Sequence, residues 1–169
     1  MPLWILVPLL AFVATIQITL LTPLPLVGVK PELALMLVVT WAMLAPLGEA
    51  AVWGFILGVF LDLASGMPFG MHTLVLTLLG WLIGWAQTTF FRGNLLAPPL
   101  AMLLATFAYH VVLLALLSLF NTPIDWLAYL GRVTLPAALV HTLGLPLLYF
   151  PLQRLARWRY PQMQVSADM

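Results

Sequence analysis

The side chains able to carry acid–base or metal chemistry are few and widely separated in this sequence. It contains five Asp and Glu residues, three His residues and no Cys. Without cysteine there are no disulfides, thiolate metal sites or thiol nucleophiles. The histidines never stand in a His-x-x-x-His pair, and no carboxylate pair, Ser–base arrangement, glycine-rich phosphate loop or zinc motif is present. The sequence therefore predicts no enzyme, no metal site and no cofactor.

One acid does stand in a patterned context, at the end of a row of glycines. Gly54, Gly58 and Asp62 recur every four residues, which places them along one ridge of a helix. Glycines at this spacing let a second helix approach closely, and Gly80 and Gly84 offer a plausible partner surface. An acid within a membrane span costs about 2.5–3.5 kcal/mol at the bilayer centre. Asp62 is therefore expected to have a specific partner.

Three roles for Asp62 follow from this position. The favoured one is an acceptor that caps the loop amides around Ser65, Gly66 and Gly70. The others are a docking contact with another protein and proton-coupled transport, which the lack of a second buried acid disfavours. Gly66 and Gly70 continue the four-residue count in number only, because Pro68 predicts that the helix has already ended.

The elements that must position these residues follow from an extreme composition. Hydrophobic residues make up 64% of the 169 residues and charged residues only 7%, against about 25% charged in a soluble domain. So few charges cannot cover a globule of this size, so the composition predicts a membrane protein and excludes a soluble enzyme. The net charge of +1 supplies no basic surface for a nucleic acid.

Six apolar stretches separated by turn residues predict an all-α membrane protein with about six transmembrane helices in one compact bundle. The stretches are 3–21, 33–47, 50–64, 73–91, 95–120 and 127–150. The second and third are short for a hydrocarbon core of about 30 Å. The turn between them, which carries Glu49, is therefore expected to pack against other helices rather than lipid. Residues 1–152 form the predicted membrane domain, and 153–169 form a short basic tail.

The basic residues predict the orientation of this bundle. Arg154, Arg157 and Arg159 form the densest positive cluster, so the positive-inside rule places the C-terminus in the cytoplasm. Six spans then place the N-terminus on the same side. Five tryptophans lie near predicted span ends, as interfacial anchors do: Trp4, Trp53, Trp85, Trp126 and Trp158.

Several polar or aromatic residues lie deeper in the predicted spans. Trp41 and Trp81 are expected to pack inside the bundle, and Gln17 is expected to make one interhelical hydrogen bond. His110 and His141 fall near the midpoints of the fifth and sixth spans. We interpret each as a neutral, buried residue bonded to a neighbour, and pairing between the two stays open.

Three segments resemble the MreD family of bacterial rod shape-determining proteins, and the likeness covers nearly the whole chain. They are Lys30-Pro31-Glu32-Leu33-Ala34-Leu35, then Gly54-x-x-x-Gly58-x-x-x-Asp62-x-x-Ser65-Gly66-x-Pro68-x-Gly70-x-His72, then Gly80-Trp81-Leu82-Ile83-Gly84. Glu32 supplies the acid that the family usually has after the proline of the first segment. Trp81 stands where many members have Tyr. The length, the number of spans and the basic tail also agree.

This resemblance implies a non-enzymatic scaffold of the cell-elongation machinery in the bacterial cytoplasmic membrane. Such proteins associate with the single-span protein MreC and, through it, with RodA, a penicillin-binding transpeptidase and MreB filaments, and help place side-wall peptidoglycan synthesis. A fold similar to the S components of energy-coupling-factor transporters is also implied. The candidates for partner binding or helix packing are Glu32, Gly54, Gly58, Asp62, Gly66, Gly70, Gly80 and Gly84. Gly58→Leu is expected to separate the partner while the protein remains inserted.

The alternative is a membrane component of an energy-coupling-factor type transporter that captures a small solute from outside. Such a site needs convergent polar groups around a cavity. The predicted outer loops offer His72, Asn121, Asp125, Arg132 and a few hydroxyl groups. A proton-coupled channel or exporter is disfavoured by the scarcity of charge within the spans.

Overall fold

The computed structural model describes residues 3–21, 30–89, 96–120 and 125–161, and these residues form six helices and no strand. The helices are α1 (Leu3–Ile16, continued by a π-helical turn at Gln17–Leu21), α2 (Leu33–Leu44), α3 (Glu49–Ser65), α4 (Met71–Thr89), α5 (Ala97–Ser118) and α6 (Trp126–Arg159). Each overlaps one of the six predicted stretches, so the all-helical prediction is confirmed for this part of the chain. Two of them, α5 and α6, are long and apolar enough to cross a membrane.

Glycines with positive φ mark the ends of α3. Gly48 precedes it with φ of 93°, and Gly66 follows it with φ of 68°. Gly70, with φ of 99°, then stands directly before α4. These angles lie in the left-handed region that residues with a Cβ rarely adopt. The prediction that Gly66 and Gly70 lie beyond the ridge of α3 is therefore confirmed.

Helix α2 lies at the centre of the bundle and contacts every other helix. All of its residues except Thr40 are apolar, which is typical of a helix enclosed on all sides. Nine of its residues are buried: Ala34, Leu35, Met36, Val38, Val39, Thr40, Trp41, Ala42 and Met43. The other helices surround α2, and α3 and α4 form the closest pair among them.

Two predictions about tryptophans are wrong. Trp53 was expected at an interface, but it is 2% exposed and stacks on Trp41, with ring centroids 4.4 Å apart. It lies beside Gly54 on the buried side of α3. Trp81 was expected inside, but it is 47% exposed, because its neighbour Gly80 occupies the side of α4 that faces α3. Trp41 is fully buried as predicted.

The last helix is longer than the sequence pattern indicated. It continues through the predicted boundary at residue 152, so Arg154, Arg157 and Arg159 lie on α6 itself. A π-helical turn at Leu130–Thr134 interrupts its first part. Residues 162–169 of the predicted tail lie outside the described residues.

Candidate functional site

The predicted glycine ridge forms the contact between α3 and α4. A Cβ on Gly58 would lie 2.6 Å from the backbone nitrogen of Thr73, and a Cβ on Gly54 would lie 2.6 Å from the carbonyl carbon of Leu76. From the other side, a Cβ on Gly80 would lie 2.6 Å from the carbonyl oxygen of Ala50. Real Cβ atoms do not approach backbone this closely, so only glycine permits this spacing of the two helices.

This geometry alters what the ridge can do for a partner. The faces of Gly54, Gly58 and Gly80 are covered by backbone of the same chain. Another protein could reach them only after α3 and α4 had separated. The contacts therefore support helix packing as the role of the ridge. Gly58→Leu is now expected to disrupt the bundle itself. Gly84 is less tightly enclosed, since the nearest atom to its Cβ position is a side-chain carbon of Leu47 at 3.5 Å.

Asp62 joins the end of α3 to the start of α4 through five hydrogen bonds. Its Oδ1 accepts from the backbone N–H of His72 at 2.9 Å and from the Nδ1 of the same residue at 2.9 Å. Its Oδ2 accepts from the backbone N–H groups of Gly70 and Thr73, both at 3.0 Å, and from the Thr73 hydroxyl at 2.6 Å. Asp62 thus caps the free amides of another helix.

The capping interpretation of Asp62 accounts for all these contacts. Of the three amides named in the prediction, Gly70 is among its donors, whereas Ser65 and Gly66 are not. The buried carboxylate has both oxygens occupied by donors of the same chain. Because a carboxylate can only accept, His72 Nδ1 must carry the proton of its bond to Asp62, so this side chain is part of the cap.

A second polar cluster lies around Glu32, at the N-terminus of α2. The backbone N–H of Glu32 donates to His141 Nε2 on α6 at 3.0 Å, and the backbone N–H of Ala34 donates to Gln17 Oε1 beside α1 at 2.7 Å. Two of the free amides of α2 are thus satisfied by side chains of other helices. The predicted interhelical hydrogen bond of Gln17 is confirmed.

These contacts define the tautomer of His141. Its Nε2 accepts a hydrogen bond, so Nδ1 must carry the proton and donate to the Thr106 hydroxyl at 3.1 Å. Thr106 in turn donates to the carbonyl oxygen of Met102 at 2.9 Å. His141 is therefore a neutral, buried link between α2, α5 and α6, as its sequence position indicated.

His110 is joined to the same cluster more loosely. Its Nε2 lies 3.6 Å from Glu32 Oε1, and its ring lies edge-on to those of Tyr109 and Tyr129. Two buried atoms of this pair have no hydrogen-bond partner among the described residues: Glu32 Oε2 and His110 Nδ1. The two histidines thus meet at Glu32, and no hydrogen bond joins them directly within the part of the chain that is described.

A third cluster joins the C-terminal ends of α2 and α6 to the N-terminal end of α3. The indole N–H of Trp41 donates to Glu49 Oε2 at 3.2 Å, and Arg159 donates to Glu49 Oε1 at 2.8 Å. The Arg159 guanidinium also lies 5.2 Å from the centre of the Tyr160 ring. Burial, and then the Glu49 carboxylate, raise the pKa of Tyr160 far above its ordinary value, so the phenol stays neutral. Glu49 packs among helices, as predicted.

The polar residues considered for the alternative do not converge. The Asp125 carboxylate caps the start of α6 by accepting from the backbone N–H of Ala128 at 3.0 Å. Arg132 is exposed, and Asn121 lies outside the described residues. Across the described ranges, no three His, Asp or Glu side chains are grouped so that they could hold a metal ion.

Sequence reasoning identified Asp62 and its ridge but missed the associations of Glu32 and Glu49. Glu32 was singled out by resemblance alone, and its contact with His141 spans 109 positions of the chain. Thr73, Thr106 and Arg159 were not singled out as partners at all. A lone threonine or arginine carries no spacing signal, so only the packing of the helices could reveal these pairs.

Comparison with known proteins identifies a family. The family model described as rod shape-determining protein MreD matches residues 1–159. No curated protein and no solved structure matches the chain. The similarity to S components of energy-coupling-factor transporters, implied by the resemblance, thus has no support from solved structures and stays a prediction.

Proposed function

The chain belongs to the MreD family of rod shape-determining proteins, and from this premise we propose that it is a multi-pass scaffold in the bacterial cytoplasmic membrane. In this role it binds MreC and, through it, helps organise RodA, a penicillin-binding transpeptidase and MreB during side-wall peptidoglycan synthesis. The observation that carries the proposal is the extent of the family match, which covers 159 of the 169 residues.

The surface of the bundle supports a membrane location. Large apolar side chains are exposed on every helix except the central α2, and examples are Trp4, Phe55, Leu78, Leu104 and Leu143. Such a surface would aggregate in water but is matched to lipid. Helix α2 has 12 residues, or about 18 Å, too short to cross a bilayer core of about 30 Å. It is tolerated because other helices surround its ends.

The positions of the helix ends support the proposed orientation. Arg159 at the end of α6 contacts Glu49 at the start of α3, so these two ends lie on the same side of the bundle. Arg154 and Arg157 lie within the last two turns of α6. By the positive-inside rule this side faces the cytoplasm, and the Asp62 side faces outward.

A scaffold needs a stable shape and an outer surface for partners, and the described residues offer both. The α3–α4 contact and the Asp62 cap hold the interior together. Since the glycine faces are covered within the chain, we place the MreC contact on the exposed apolar surface. A single transmembrane helix of MreC would pack there in exchange for lipid.

Site-specific photo-crosslinking in intact cells tests this proposal. A photoreactive residue is placed at one exposed position on each outer helix, and the products are identified by mass spectrometry. The positions are Trp4, Phe55, Leu78, Leu104 and Leu143. We expect MreC at neighbouring positions on one side of the bundle, with the opposite side serving as the matched control.

Two outcomes would contradict the scaffold. The first is the absence of MreC at all five positions at normal expression of both proteins. The second is recovery of a pair of ATPases with another membrane subunit, which would support the transporter component instead.

A further inference from the structure

We propose that a groove on the last three turns of α6 binds the headgroup phosphate of an anionic phospholipid. This inference rests on the membrane location proposed above. None of the site residues predicted from the sequence lines this groove. The ligand is defined by one phosphate-borne negative charge next to acyl chains.

The groove is formed by one face of a single helix. It is open to the outside, has a volume of about 380 Å³ and is lined by Phe150, Gln153, Arg154 and Arg157. These residues follow the i, i+3, i+4, i+7 spacing, so they form a continuous stripe along α6. A ligand lying along the helix can therefore contact all four at once.

Two guanidinium groups of the stripe are open to a ligand. Arg154 and Arg157 are exposed, and none of the ion pairs between described residues involves either of them. Arg159, two positions further on, is by contrast turned to Glu49 at 2.8 Å. Each guanidinium presents several N–H donors in a planar fork, which suits the oxygens of a phosphate.

The order of residues along the stripe matches the depth profile of a lipid. Phe150 is 69% exposed and stands on the membrane side of the groove. Gln153 follows, and Arg157 lies about 10 Å from Phe150 along the helix axis, at 1.5 Å per residue. This sequence of apolar, amide and cationic groups parallels acyl chain, ester region and phosphate. Trp158, which is 77% exposed, adds an aromatic anchor of the kind found at membrane interfaces.

A purely structural explanation for these arginines exists and makes a different prediction. Basic side chains near a helix C-terminus interact favourably with the helix dipole. That effect would stabilise α6 in any detergent or lipid and would not distinguish anionic from zwitterionic lipids. The choice of lipid is therefore the readout that separates the two explanations.

The test compares lipid binding to the purified full chain and to a double variant, Arg154→Gln with Arg157→Gln. Native mass spectrometry in a mild detergent measures the retention of phosphatidylglycerol and phosphatidylcholine added in equal amounts. Arg132→Gln is the matched control, because Arg132 is an exposed arginine near the other end of the same helix. We expect the preference of the wild-type chain for phosphatidylglycerol to fall about thirtyfold in the double variant, and to persist in the control.

Each other outcome would overturn the proposal. An unchanged preference in the double variant, or an equal loss in Arg132→Gln, would mean that no specific site exists. Displacement of phosphatidylglycerol by inorganic phosphate at equal concentration would indicate a site for a free anion. Loss of thermal stability in neutral detergent without a change in lipid preference would assign the arginines to the helix dipole.

This experiment is independent of the MreC test. It uses the purified chain alone, so a negative result leaves the scaffold proposal standing. Conversely, failure to cross-link MreC does not affect the measured preference for a lipid.

Discussion

The two carboxylates Asp62 and Glu32 lie in regions of the bundle that are held together in different ways. Around Asp62, two helices touch backbone to backbone and both carboxylate oxygens accept hydrogen bonds from the same chain. Around Glu32, three helices meet through single side-chain contacts made by His141 and Gln17. There, Glu32 Oε2 has no hydrogen-bond partner among the described residues.

The two regions are therefore expected to tolerate different kinds of substitution. The α3–α4 contact depends on the absence of side-chain atoms, so adding even a methyl group forces backbone apart. The Glu32 region depends on particular hydrogen-bonding groups, so a variant of the same shape removes only the energy of the bonds that it loses. We therefore expect steric variants to be most damaging at the first region and polar variants to have graded effects at the second.

The largest effect is expected from Gly58→Leu. A side chain at this position collides with the backbone of His72 and Thr73, which cannot rotate away. Overpacking usually costs about 1–3 kcal/mol, and a backbone obstacle should raise the loss of unfolding free energy to about 4 kcal/mol. Reversible unfolding in detergent measures it. Gly131→Ala is the matched control, because a Cβ there meets nothing within 4 Å and should cost almost nothing.

The Gly58 result also decides between the two interpretations of the ridge. If Gly58→Leu is as stable as the wild type, the glycines are not required for the close contact between α3 and α4. If such a stable variant also loses MreC, the original expectation of a partner interface is restored.

A smaller effect is expected from Asp62→Asn. The amide keeps the shape, but its NH2 group faces donors where Oδ2 accepted from Gly70 and Thr73. Leaving such groups unsatisfied costs about 1–3 kcal/mol each, so we expect a loss of about 3 kcal/mol in the free energy of unfolding. Asp125→Asn is the control, since that exposed cap bonds a single amide and Asn is an equally good N-cap. Equal effects of the two substitutions would show that Asp62 is no more than an ordinary cap.

The smallest effect is expected in the Glu32 region, where its two histidines can be compared. His141→Phe removes the acceptor for the Glu32 N–H and the donor to Thr106, whereas His110→Phe removes only a contact of 3.6 Å. We expect His141→Phe to lower the unfolding free energy by about 1–2 kcal/mol and His110→Phe to lower it by less. The same unfolding assay ranks them. The reverse order would mean that His110 has a binding partner that outweighs the links of His141.

The sequence was sufficient for features that have a short-range physical signature. Six apolar stretches predicted six helices, and Pro68 predicted that α3 ends before it. The spacing of Gly54, Gly58 and Asp62 predicted their common face, because helical periodicity fixes it whatever the rest of the chain does. Capping was the favoured role for Asp62, but of the amides named for it only that of Gly70 is a donor, and the others belong to His72 and Thr73.

Features that depend on distant helices could not be predicted. The contacts of Glu32 with His141 and of Glu49 with Arg159 each join residues more than 100 positions apart. Trp53 shows the same limit. Its position near a span end predicted a side chain at the membrane interface, but in the fold it stacks on Trp41 of α2 and is buried. Hydrophobic patterning states that a side chain lies in an apolar environment, but lipid and protein interior satisfy that pattern equally well.

The capping of α2 by side chains from α1 and α6 has a consequence for how the protein is made. During synthesis the start of α2 leaves the ribosome before His141 has been added to the chain. The backbone N–H of Glu32 therefore lacks its acceptor until the last helix has been made. The central helix therefore cannot reach its final bonding state until the chain is nearly complete. A nascent chain stalled before that point keeps an unfinished core. The bonding of the first turn of the central helix therefore depends on the last helix of the chain.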